Sequence, residues 1–141
     1  MTALASKKPK GARGSALLRV LRPEEARAHA PQNDRAPCPG LWKTPVIRWD
    51  GQLMACCADV DGEIPLGNLK DATFEELWFG PTMTEYRLLH IEGRFGGMPK
   101  CEECGGINFY KMDDDEVRAF LDENGRMDLW DAYRERMGRG P

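Results

Sequence analysis

Five cysteines stand in this chain of 141 residues: Cys38, Cys56 and Cys57, then the C-x-x-C pair Cys101 and Cys104. No other feature restricts the fold as strongly. An odd count leaves one thiol over in any paired scheme, and a reducing compartment argues against structural disulfides. The N-terminus lacks the apolar run and cleavage site of a secretory leader. No apolar stretch reaches the roughly 18 residues of a membrane span. The expectation is therefore a soluble, cytoplasmic protein with no membrane contact, in which converging thiolates hold a metal.

The segment CPGLWKTPVIRWDGQLMACC brings the first three cysteines around two short apolar runs, VIRW (46–49) and QLMACC (52–57). Asp50-Gly51 between them predicts a two-residue hairpin of type I′, which needs positive φ at both central positions. The hairpin folds the chain back, so Cys38 and Cys56 approach each other. Cys101 and Cys104 lie between Pro99-Lys100 and Gly105-Gly106, in a loop that can close on them. A redox C-x-x-C sits where a strand feeds a helix, so this pair suits chelation better. Neighbouring strand residues face opposite sides, so Cys56 and Cys57 are not both expected at one centre. One of them is expected to be spare and buried. Four thiolates fit either a tetrahedral zinc or a cubane iron–sulfur cluster. Zinc sites more often combine two close C-x-x-C pairs, which weighs against zinc here.

The remaining chain supplies a basic arm and short helices. Residues 1–36 carry eight Lys/Arg against three Asp/Glu, and the rest twelve against twenty. The stretch MTALASKKPKGARGSA has no apolar period and reads as disordered, with one short helix after Pro23. Its basic residues have no interleaved aromatics, which argues against nucleic acid as a partner. ADVDGEIPLGN reads as a loop. Thr73 and Glu76 form a capping box. Gly80-Pro81 ends that helix and opens the next, with Met83, Tyr86 and Leu89 on one side. Asp113 to Glu116 resemble an acidic cluster, but capping of the following helix (Val117, Phe120, Leu121) is the better reading. Leu129, Trp130, Tyr133 and Met137 mark a last helix. Trp42, Trp49, Trp78 and Trp130 are expected to form the core and shield the centre. The resulting fold class is α+β, a small β-hairpin followed by short helices around a four-cysteine metal-cluster site. Residues 1–36 form the arm, 37–110 the cluster-binding domain and 111–141 a helical extension.

Residues 37–106 resemble the SPASM domain, the cysteine-rich extension of many radical S-adenosylmethionine (SAM) enzymes. Cys38, twelve residues, Gly51, four residues and Cys56 follow the family pattern, as do LGNL and Trp78 in EELW, and MPKCEECGG. The resemblance favours Cys56 over Cys57. It implies a [4Fe–4S] cluster, but the family's two-cluster pattern does not fix which cysteines share it; the hairpin reading assigns Cys38, Cys56, Cys101 and Cys104, and the alternative is a structural zinc-binding module for protein interaction. It also implies a role in passing electrons or holding a peptide or protein substrate beside radical chemistry. Tyr110 stands where the family's next cysteine belongs, and no cysteine follows Cys104. The pattern is thus nearer the shortened, single-cluster form called twitch. The C-x3-C-x2-C triplet that binds SAM is absent from this sequence. The chain is therefore not expected to be catalytic alone, and its implied partner is a separate radical SAM enzyme.

A cysteine-dependent enzyme would need a histidine beside a cysteine. His29 lies in the arm and His90 in a helix, where it reads as a packed or surface residue rather than a base.

Overall fold

Val46–Ile47 (β1) and Gln52–Met54 (β2) pair antiparallel, with Val46 opposite Met54 and Ile47 opposite Leu53. The structure, a computed structural model, describes residues 23–28, 31, 35–98, 100–102, 104 and 111–140. Residues 1–22, His29 and the segment 105–110 with Tyr110 lie outside the described residues. The hairpin loop is one residue longer than the Asp50-Gly51 reading. Gly51 N–H donates to Arg48 O at 2.9 Å, and Arg48 N–H donates to Gln52 O at 2.9 Å. Gly51 has φ +87°, but no described non-glycine residue has a positive φ. Asp50 therefore cannot occupy a type I′ position. The geometry is the three-residue loop in which a tight turn ends on a left-handed glycine. The extra loop residue is Trp49, which is 94% exposed at the hairpin tip. The core and shield role expected of Trp49 is thus corrected: it stands on the corner and not on the strand.

Pro65–Asn68 adds a third strand (β3) to the sheet, in the order β1-β2-β3. The sequence reading had placed this segment in a loop. Proline is tolerated because it is the first strand residue, beside a bulge between Leu53 and Met54 where the ladder slips. Asn68 ties the sheet to the hairpin, its Nδ2 donating to Asp50 O at 3.1 Å.

Helices flank the sheet on both sides of it in the chain. Gly40–Lys43 (α2) follows Cys38, and Pro23–Ala28 (α1) precedes it. Phe74–Trp78 (α3) starts at the capping box of Thr73 and Glu76 as expected. Pro81–Glu92 (α4) starts with proline in its first turn and ends on Gly93, φ +76°. Met83, Tyr86 and Leu89 face one core with Leu53 and Trp78. Leu88 and Ile91 face a second core with Val117, Leu121 and Tyr133. A helix buried on two sides is the wall between two cores, and that is the role of α4. Arg87 bridges them: its Nε donates to Leu41 O at 2.9 Å, and its guanidinium lies 5.2 Å from the Trp78 ring. Burial lowers its pKa to about 10.

Asp114–Glu123 (α5) is capped by Asp113 and Glu116 in a second capping box, so the acidic cluster is a helix start. Trp130–Arg136 (α6) completes the second core through Tyr133. Arg27 of α1 pairs with Glu85 at 2.6 Å and Glu92 at 2.9 Å on α4. No helix among the described residues is long and apolar enough to cross a membrane.

Gly80 joins α3 to α4 under tight constraint. A Cβ there would lie 2.1 Å from the Glu76 carbonyl oxygen. That atom is backbone in the last turn of α3 and cannot swing away. Gly80→Ala is expected to destabilise the fold by about 3 kcal/mol, read as a lower urea midpoint with an unchanged slope.

Candidate metal centre

Cysteines from three separate segments gather beside α4. All five are free thiols. Cys101 belongs to the first hydrophobic core and is 6% exposed, while Cys38, Cys56 and Cys104 are half-buried. Cys56 interacts electrostatically with Cys38, Cys57 and Cys104, and Cys101 with Cys38, Cys56 and Cys104. All five cysteines therefore fall in one electrostatic neighbourhood, with Cys57 at its exposed edge. Among the described residues, no three His, Cys, Asp or Glu side chains are drawn tightly enough to hold a single ion. Around one zinc, with Zn–S about 2.3 Å, sulfurs nearly touch. Around a cubane each sulfur takes a different corner and they stand further apart.

Local structure fixes each sulfur. The chain turns into α2 just after Cys38, with Leu41 N–H donating to Cys38 O at 3.3 Å. Gly40 passes so close that a Cβ there would lie 3.3 Å from the Cys38 sulfur. Cys56 starts a turn closed by Asp59 N–H on Cys56 O at 3.3 Å, and Ala58 N–H donates to the Cys56 sulfur at 3.3 Å. Cys57 sits on the outer corner of that turn and is exposed. It is not the buried spare cysteine of the sequence reading, because β2 ends at Met54 and the strand alternation stops before it. Cys101 N–H donates to Met98 O at 2.9 Å, and Arg35 donates to Cys101 O.

Asp59 organises the Cys56 turn. It is 4% exposed, and its carboxylate accepts from the backbone N–H of Gly62 (3.0 Å), Glu63 (2.9 Å) and Ile64 (2.8 Å). The sequence reading missed it. The spacing D-x-x-G within ADVDGEIP was the available signal, since a short acid followed by glycine marks a loop the acid can cap.

His90 was also missed as a neighbour of the centre. It is packed, as expected, at 1% exposure. Its Nδ1 lies 3.2 Å from the Cys38 backbone nitrogen and its Nε2 3.3 Å from the Cys101 sulfur. Burial first, then the nearby Arg35 and Arg136 charges, push its pKa down to about 3. No spacing rule announces this contact, because it depends on how α4 packs against the loop after Met98.

Burial pushes the Cys101 thiol far up, with Cys56, Cys38 and Cys104 acting in the same direction and Arg35 opposing. Burial also raises Cys56, against the Ala58 hydrogen bond. Four thiolates cannot share this neighbourhood without a positive centre to replace their protons. The donor set, four reduced sulfurs with the Ala58 N–H donating to one of them, thus fits an iron–sulfur cluster. Residues 38–105 match the family model of SPASM, an iron–sulfur cluster-binding domain. No curated protein and no solved structure matches the chain.

Proposed function

We propose, on the premise that residues 38–105 form a SPASM domain and bind an iron–sulfur cluster, that the protein holds one [4Fe–4S] cluster through Cys38, Cys56, Cys101 and Cys104. In this reading it works with a separate radical SAM enzyme, transferring electrons or presenting a peptide or protein substrate. The carrying observation is the family match over residues 38–105, with these thiols free and His90 joining the backbone of Cys38 to the sulfur of Cys101. A bound cluster would supply one-electron chemistry. The residues of the chain do the rest. Cys101 and the apolar core around it exclude water from one side. The Ala58 amide holds the Cys56 sulfur, and Arg35 places positive charge beside Cys101.

Anaerobically prepared protein should be brown, with about four irons and four sulfides per chain, and dithionite should bleach its visible absorption. Cys57→Ser should leave iron content and spectrum unchanged, since that thiol points outward. A colourless protein containing one zinc would reject the cluster. A loss of iron in Cys57→Ser would move the fourth ligand to Cys57.

A further inference from the structure

The two ring nitrogens of His90 decide its chemistry. The Cys38 backbone N–H can only donate, so Nδ1, 3.2 Å away, must accept and carries no proton. Neutral imidazole then carries its proton on Nε2, the atom 3.3 Å from the Cys101 sulfur. The ring edge also meets Phe95, with centroids 4.7 Å apart and planes at 81°, which holds its orientation. A protonated Nε2 cannot ligate a metal, so His90 is a donor to a sulfur and not a fifth ligand.

We propose that His90 is a positioning residue for the cluster of the previous subsection: its Nε2–H donates to the Cys101 sulfur while its Nδ1 holds the Cys38 amide, raising the cluster's reduction potential. The proposal rests on that ligand set. The physical reason is charge. Reduction adds an electron that the cysteine sulfurs partly carry, and an N–H aimed at one of them stabilises the reduced state more than the oxidised. The same ring links the segment after Arg35 to the loop after Met98, so one side chain sets the distance between two of the sulfurs.

The test starts with iron and sulfide analysis of the wild-type protein. Wild-type protein that takes up no iron overturns both this proposal and the reading it rests on. With loaded protein, the chain labelled with 15N-histidine is reduced and examined by pulsed electron paramagnetic resonance. A 15N coupling and an exchangeable proton coupling are expected. The chain has two histidines, and the nitrogen signal must vanish in His90→Gln to belong to His90. Potentiometry is the second readout. In His90→Leu the ratio of reduced to oxidised cluster at fixed potential should fall about tenfold, as expected for one charge-assisted hydrogen bond, a 59 mV downward shift for one electron. His90→Gln, whose amide can donate to the same sulfur, should stay near wild type. If His90→Leu fails to load, the wild-type couplings decide alone. Loaded wild-type protein without a histidine coupling overturns this proposal while leaving the cluster in place. So does a His90→Leu potential equal to wild type at equal loading.

Discussion

Cys101→Ser is expected to yield colourless protein, with iron content at least about tenfold below wild type under anaerobic reconstitution. Among the proposed ligands Cys101 is the most buried, at 6% exposed within the first core. Serine keeps the shape but offers a hydroxyl far harder to deprotonate than a thiol, and a hard oxygen where iron–sulfur chemistry prefers soft sulfur. The hydroxyl also lands among apolar neighbours opposite the His90 ring. Stability should fall with the iron. Structural zinc supplies about 10–16 kcal/mol to small folds, and the proposed cluster, joining three chain segments, would serve in the same way. Iron analysis and anaerobic urea titration check the two halves separately. Full iron in Cys101→Ser would sink the four-cysteine assignment.

Asp59→Ala should be the most damaging change away from the cysteines. It strips the partner from three backbone N–H groups, those of Gly62, Glu63 and Ile64, and Ile64 is itself buried. Each orphaned donor costs about 1–3 kcal/mol, and partial access to water around Glu63 places the total at about 4 kcal/mol. Asp59→Asn should fall between, since its one carbonyl oxygen can serve only some of the three donors. The anaerobic urea midpoint measures this. An Ala variant within about 1 kcal/mol of wild type would show that the loop finds other partners. The same variant is expected to lose the proposed cluster faster in air, because the Asp59 carboxylate that anchors Gly62, Glu63 and Ile64 also steadies the turn leading back to Cys56.

The most legible parts of the chain were those with local rules. Thr73 and Glu76, Asp113 and Glu116, and Gly80-Pro81 mark helix boundaries through backbone hydrogen bonds within a turn, and the structure has them there. Asp50-Gly51 announced a hairpin correctly but misplaced its loop by one residue, because only the glycine takes a positive φ. That one residue moved Trp49 from an expected core position to the tip. β3 was hidden by Pro65 and Gly67, which read as punctuation when the pairing partner is unknown. A strand of this kind is defined by Leu53 across the ladder and not by its own composition. The groups packed around the cysteines were not legible in this way. His90 and Arg35 reach Cys101 through tertiary packing over separations of 11 and 66 residues, and no periodicity encodes that, whereas Asp59 had a local signal in its D-x-x-G spacing.

Arg136, in α6, donates to the carbonyl oxygens of His90, at 3.2 Å, and Ile91, at 2.8 Å, and also to that of Arg35. The carbonyls that close α4 behind the imidazole are thus capped from a point 46 residues downstream. During synthesis, α4 and both flanking loops leave the ribosome well before residue 136 does. Until then the Arg136 bonds to His90, Ile91 and Arg35 are missing, and the second core beside α4 lacks Tyr133. The last turn of α4 and the backbone at Arg35 are therefore expected to gain their full hydrogen bonding only once α6 has docked.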